Sequence, residues 1–386
     1  MFVSRLRLVN FRSYPDATVE FAPGLNVIVG RNASGKTNLL EGAWFALRAS
    51  SPRTTKDDKA VRWGAGFARA EATVAAGESA DAHTFTVAYA PGQAKQVRLD
   101  GADVASLDEL RRHGAVFIFV PESLLLVKGS PARRRAHLDA FAAGIDPAYD
   151  AGLRDLNLVL KQRNAQLWRV REGAATDSLD AWDRQLARVA LAFEDRRRAV
   201  VARLSASYRD FAAALAPGGG EFSLALVSQL DELPAAAPSA GGSDEEAFVA
   251  ALRARRGGEI GRAVSGFGPH RDDLRFAEES APPPEGGAAA RDLRLFGSQG
   301  EQRAAVLALL LAERAVAAEL TGDLGALLLD DVMSELDDAR RRLLVGALTA
   351  GGQAIITTTN RLYFTAAELA SAKVIELTGG AAGPDA

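Results

Sequence analysis

The 386-residue chain has no cysteine. Disulfides, thiolate nucleophiles and cysteine-held metals are therefore excluded, which suits a reducing compartment. Long apolar runs are also missing, and no stretch approaches membrane-spanning length. Met1-Phe2-Val3-Ser4-Arg5 is not followed by an apolar secretion segment. The expectation is a soluble, cytoplasmic protein with no membrane partner. No internal repeat of solenoid period occurs. The net charge is only −3, so global charge does not announce a nucleic-acid partner, although the charge is unevenly spread. The remaining composition, 48% hydrophobic, is that of an ordinary globular protein with room for two or three domains.

What is present is organised around Gly30-Arg31-Asn32-Ala33-Ser34-Gly35-Lys36-Thr37. The octet fits the phosphate-cradling pattern in which two glycines open a loop and Lys-Ser/Thr begins a helix. Leu25–Val29 before it predicts a buried strand, and Asn38–Leu47 after it predicts a helix. Strand, glycine turn and helix N-terminus together aim backbone N–H groups at an anion. In that setting Lys36 reaches β/γ-phosphates, and the Thr37 hydroxyl binds Mg²⁺.

Residues 3–9 alternate apolar and polar, and residues 67–76, 83–89 and 95–99 do the same, predicting an antiparallel β subdomain over about 67–99. Ala115–Val120 is a further strand, stopped by Pro121. From Pro131 to about Phe211 the chain becomes arginine-rich with helical spacing. Two apolar seams, Tyr149 to Val170 and Leu179 to Tyr208, flank a hinge at 172–178 and predict an antiparallel helical hairpin. Residues 231–246 and 278–290 have the composition of flexible insertions. Gln302–Leu320 predicts a long helix, Gly325–Asp330 a central strand, Ala339–Thr349 a helix and Gln353–Thr358 another strand. The tail after Gly379 is expected to be disordered.

Leu327-Leu328-Leu329-Asp330-Asp331 is an apolar strand ending in two carboxylates. Behind a phosphate loop, Asp330 completes a Mg²⁺ shell. Asp331 beside it can orient or deprotonate an attacking water. Ser298-Gln299-Gly300-Glu301 opens the long helix. Ser298 fits a plain helix cap, but Ser-x-Gly-Glu/Gln at a helix start also resembles the signature of ABC-type ATPases. In those proteins it binds the γ-phosphate held by the other subunit. Ser334-Glu335-Leu336-Asp337 resembles their D-loop, and Thr357-Thr358-Thr359 stands where many carry a switch histidine.

Together with Leu8–Tyr14, Phe119-x-Pro121-Glu122 and Gly268-Pro269-His270-Arg271-Asp272-Asp273-Leu274, these motifs resemble the RecF family, bacterial recombination-repair relatives of the SMC proteins. The 268–274 run and the short arm are the specific part. The chain departs from the usual pattern at Glu301, at Pro52 and in its two insertions. The resemblance implies an α/β, ABC-type ATPase head with a mixed sheet and flanking helices. The head would be formed by 1–120 and 255–386, with a helical arm over 121–254. It also implies ATP and Mg²⁺, an Arg12 that joins the nucleotide site, and a signature, Ser298 to Glu301, acting in trans in an ATP-driven homodimer. The implied function is DNA binding at gaps and junctions, slow hydrolysis as a release timer, and work with RecR, RecO and RecA.

The residues themselves support DNA more weakly. Residues 128–209 hold sixteen Lys and Arg against ten Asp and Glu, whereas 221–250 hold six acidic residues and no basic one. Arg133, Arg134, Arg135, Lys161, Arg163, Arg196, Arg197 and Arg198 are candidate phosphate contacts; a solvated helical face gives the same pattern. Three other functions share the phosphate motifs: a transporter ATPase subunit, an ATPase joined to a nuclease, and a structural SMC subunit. The second needs an acidic metal-dependent domain for which no stretch is spare, and the third needs a far longer arm.

Overall fold

The computed structural model describes residues 1–75, 82–104, 110, 115–216, 220–233, 244–279, 290–349 and 351–377. They divide into two compact units. One comprises Met1–Leu124, Asp210–Gly219 and Gly297–Ala386, the other Leu125–Arg209 and Gly220–Phe296.

The first unit holds two sheets. β1 (Phe2–Phe11), β2 (Tyr14–Glu20), β4 (Ala68–Ala75), β5 (His83–Tyr89), β6 (Gln96–Leu99) and β7 (Ala102–Asp103) form an antiparallel sheet in the order β2-β1-β4-β5-β6-β7. A register shift between Val3 and Arg5 resets the alternation of β1, so Val3, Leu6 and Leu8 all face inward and are buried. β3 (Leu25–Gly30), β8 (Val116–Phe119), β12 (Ala326–Asp330), β13 (Gln353–Thr358) and β14 (Lys373–Leu377) form a parallel sheet in the order β14-β3-β13-β12-β8. These strands are almost continuously apolar, as parallel strands covered on both faces must be.

Helix α1 (Lys36–Arg48) packs against strands of both sheets and joins their apolar faces into one core. Gly42 permits that approach, since a Cβ there would lie 2.5 Å from a Leu8 methyl. Later come α6 (Gln299–Thr321), α7 (Asp338–Thr349) and α8 (Ala366–Ser371).

The second unit is built from α2 (Pro131–Ile145), α3 (Pro147–Arg171), the greater part of α4 (Leu179–Leu215), α5 (Asp244–Arg262) and a three-stranded antiparallel sheet. In that sheet β10 (Asp273–Glu279) lies between β9 (Glu221–Val227) and β11 (Ala290–Asp292). The hinge expected between the helices of the hairpin is a short 3-10 turn, Thr176–Ser178. Residues 255–296, expected with the head, belong to this unit instead. The reason is pairing: among the described residues β10 and β11 bond only to each other and to β9, and α5 packs on α3. The insertions expected at 231–246 and 278–290 lie mainly outside the described residues, as does the tail after Gly379. At their edges a 3-10 turn covers Gln229–Glu232 and β10 continues to Glu279. No helix among the described residues is long and apolar enough to cross a membrane.

Candidate active site

β3 ends at Gly30, and the next residues wrap around the Lys36 side chain. Lys36 Nζ donates to the carbonyls of Gly30 (2.6 Å) and Arg31 (2.9 Å). Burial lowers the Lys36 pKa, against the attraction of Asp331 and Asp330. The wrap needs left-handed backbone at Ala33 (φ 65°) and Gly35 (φ 101°). Only glycine fits at the latter, because a Cβ would stand 2.7 Å from the Tyr14 hydroxyl. That hydroxyl donates to the Gly35 carbonyl at 3.1 Å. Burial raises its pKa to about 12, so it remains a donor.

Two features fit this loop to a phosphate. The Ser34 hydroxyl is buried without a hydrogen-bond partner among the described residues. The first turn of α1 carries no acidic residue and no side-chain cap, leaving its N–H groups for an anion. Arg31, Asn32 and Ala33 are exposed at the rim.

Asp330 ends β12, one strand removed from β3. Its carboxylate accepts from Thr37 Oγ1 and from Thr357 Oγ1, each at 2.7 Å. Thr357 lies directly opposite Asp330 in the parallel register of β13. The same Thr357 oxygen accepts the Asp331 N–H at 3.0 Å. One threonine thus aligns both carboxylates. Asp331 adopts a left-handed conformation (φ 45°), and its carbonyl accepts from Ser334 Oγ at 2.9 Å. Its Oδ1 is buried with no partner among the described residues. Burial first, then the Asp330 charge, raises the Asp331 pKa, against the Ser334 hydrogen bond and the Lys36 charge. The result is a cation, two hydroxyls and two carboxylates converging on one loop, a donor set suited to a metal-bound polyphosphate.

Arg12, expected to join the nucleotide site, is held on α1. Its guanidinium forks onto Glu41, Nε to Oε2 at 3.0 Å and Nη2 to Oε1 at 2.5 Å. Glu41 is fully buried in α1 and also accepts from Ser51 Oγ (2.6 Å) and Arg53 Nη1 (3.2 Å). Glu41 does not stand out in the sequence, and Thr357 does so only as one of three threonines where many ABC-type ATPases carry a switch histidine. The available signals were a carboxylate on an apolar helix face and a threonine ending the strand beside the carboxylate strand.

Ser298 caps α6 in a reciprocal box. Its hydroxyl accepts the Glu301 N–H at 3.2 Å, and Glu301 Oε2 accepts the Ser298 N–H at 2.6 Å. The box takes Glu or Gln at position 301, so it does not explain the departure there. Ser298, Gln299 and Gly300 are exposed.

Several arginines proposed as phosphate contacts are committed to the fold. Arg163 is fully buried between Asp183 (2.8 Å), Glu259 (2.6 Å) and Ser265 (2.8 Å). Arg197, also buried, pairs with Asp139 (2.8 Å) and Asp272 (2.9 Å). Arg134 forks onto Asp273 at 2.6 and 2.7 Å and donates to the carbonyls of Val127 and Gly129. Arg135 donates to the Asp272 carbonyl, and Arg198 is held by Glu194 and Asp231. A buried, paired guanidinium cannot reach a DNA phosphate, so Arg134, Arg163 and Arg197 are corrected to structural residues. Arg133, Lys161 and Arg196 are exposed. The 268–274 run thereby gains a physical role: Asp272 and Asp273 receive Arg134, Arg135 and Arg197 within the second unit.

Residues 2–379 match the family model described as the RecF/RecN/SMC N terminal domain. The DNA replication and repair protein RecF of Heliobacterium modesticaldum is 35% identical over 384 residues, 98% of either chain. A solved structure of the recombination mediator protein RecF with ATP in the RecFOR pathway superposes with a TM-score of 0.78 at 27% identity, covering 98% of this chain and 96% of that one. An Smc head bound to the C-terminal winged-helix domain of ScpA matches at 16% identity with a TM-score of 0.56 over 99% of this chain and 96% of that chain, a likeness of fold.

Proposed function

The chain belongs to the RecF family of SMC-like, ABC-type ATPases, and from that premise we propose that it is an ATP-dependent DNA-binding protein of recombinational repair and replication. The observation that carries the reading is the Lys36 loop with the Thr37–Asp330 hydrogen bond. Lys36 exchanges its two loop carbonyls for β/γ-phosphate oxygens, and the Ser34 hydroxyl and the α1 N–H groups complete the cradle. Thr37 and Asp330 would hold Mg²⁺, with Thr357 fixing the carboxylate. Bound Mg²⁺ supplies charge neutralisation at the β- and γ-phosphates. Asp331, its proton affinity raised by burial, accepts the proton of an attacking water. Arg12, held by Glu41, joins the nucleotide site.

Ser298 to Glu301, at the start of α6 with the first three exposed, meet the γ-phosphate on a second copy, so that ATP closes a homodimer and slow hydrolysis opens it. Arg133, Lys161 and Arg196 are the remaining arm contacts to the DNA backbone. By family resemblance the partners are RecR and, through it, RecO and RecA, with recombinase loading at gaps in the cytoplasm as the outcome. Gel-shift binding to gapped and blunt duplex tests the reading. ATP should increase retention of wild type but not of Lys36→Met. Equal retention with and without ATP would remove the switch.

A further inference from the structure

The segment between α1 and β4 holds one side chain that the fold does not use. Trp63 is 98% exposed, although tryptophan is among the residues with most to gain from burial. Its backbone is nonetheless fixed. Val61 bridges to Phe11, Arg62 N–H donates to the Asn10 carbonyl at 2.8 Å, and Ala65 N–H closes a turn on Arg62 at 2.9 Å. Gly64, at φ 81°, turns the chain beyond the ring. An indole held outward on an anchored turn has a surface to offer and no core to fill.

The neighbouring charges identify what it fits. Lys56, Lys59 and Arg62 are exposed, and among the described residues their side chains form no ion pair or hydrogen bond. The two acidic residues of the segment are already engaged, Asp57 by Lys95 at 2.8 Å and Asp58 by the Tyr89 hydroxyl at 2.6 Å. Phe67, 45% exposed, adds a second aromatic ring. Uncompensated cations interleaved with outward aromatic rings are the chemistry of single-stranded nucleic acid: phosphates meet the cations and a base stacks on the ring. A paired base keeps its faces inside the duplex stack and cannot use Trp63.

We propose that Trp63, with Lys56, Lys59 and Arg62, is a stacking site for an unpaired DNA base. The proposal rests on the DNA-binding reading above and adds to it the form of DNA recognised in this part of the first unit. The site reads the single-stranded side of a junction without regard to sequence.

The test measures affinities at fixed salt with a non-hydrolysed ATP analogue, using oligothymidine, the same backbone made abasic, and blunt duplex. Trp63→Ala should weaken oligothymidine binding about 5- to 150-fold, the loss of one stacked base. Trp63→Phe should recover most of it. Binding of the abasic strand and of blunt duplex should be the same in all three proteins. Unchanged oligothymidine affinity in Trp63→Ala, or an equal loss on the abasic strand, overturns the stacking site. A loss confined to ATP-analogue affinity assigns the ring to the nucleotide's own base and overturns it also. Failure of the wild type to bind any of the DNAs instead removes the DNA-binding reading, and this proposal with it.

Discussion

Replacing Arg163 with Met separates the structural from the DNA-binding account of the arginine-rich arm. The Arg163 guanidinium, Asp183 and Glu259 are all fully buried. Methionine matches the stem in bulk but removes the charge. Asp183 keeps Arg256, whereas among the described residues Glu259 keeps only the Gly266 N–H, at 2.6 Å. A carboxylate stranded in this way costs about 3–5 kcal/mol. Against a domain stability of about 5–15 kcal/mol that is a large fraction. At roughly 2–4 °C per kcal/mol for a unit of this size, the transition of the second unit should fall by about 6–20 °C. Removing the stranded charge as well, in Arg163→Met/Glu259→Leu, should restore much of the loss, because apolar replacement of a whole buried pair is often neutral. Calorimetry on the full chain reads the shift. A Tm within a degree or two of wild type, together with a weakened DNA complex, would refute the reasoning and return Arg163 to the phosphate backbone.

Lys36→Met should abolish ATP binding, measured by calorimetric titration, because the cradle loses its buried cation. Asp331→Asn should slow ATP hydrolysis strongly while nucleotide still binds, trapping a nucleotide-bound dimer; hydrolysis at the wild-type rate would end its role as base. Burial and the neighbouring Glu194 carboxylate push the Asp272 carboxyl up to about 7, against the pull of Arg197. Because its folded pKa is raised, protonated Asp272 favours the fold, and that contribution is full at low pH and lost as pH rises through about 7. The second unit should therefore lose stability between about pH 4 and 8 in the wild type, and less so in Asp272→Asn, as urea melts across that range would show.

Four of the five parallel-sheet strands and the phosphate loop were legible because each is a local pattern, whereas the edge strand β14 was not. A short apolar run, a glycine turn and a helix start fix Gly30 to Thr37, and an apolar strand ending in Asp330 needs no partner to be recognised. The helical hairpin was legible in the spacing of Tyr149 to Tyr208. Long-range pairings were not. Residues 255–296 read as head because the strands that claim β10 and β11 are distant in sequence or short. Thr357 is one threonine among three until register places it opposite Asp330. The arginines misled for a related reason. Arg163 and Arg197 sit in a charge-rich helical stretch that suggests an outward face, and only the folded chain brings Asp183, Glu259 and Asp272 around them. Arg12 shows the same limit, since its partner Glu41 lies on a helix that otherwise reads as apolar.

The central claim is that ATP on one copy is closed by Ser298 of another. Light scattering with ATP and Mg²⁺ on wild type and Ser298→Arg tests it most directly. Loss of the cap alone costs on the order of 1 kcal/mol, so the variant should remain folded and, with Lys36 intact, should bind ATP as a single head. The account predicts an ATP-dependent dimer for wild type and a monomer with almost no hydrolysis for Ser298→Arg, with at most one working site per heterodimer when the variant is mixed with Lys36→Met. A Ser298→Arg protein that still dimerises on ATP would leave Ser298 as a helix cap and contradict the account.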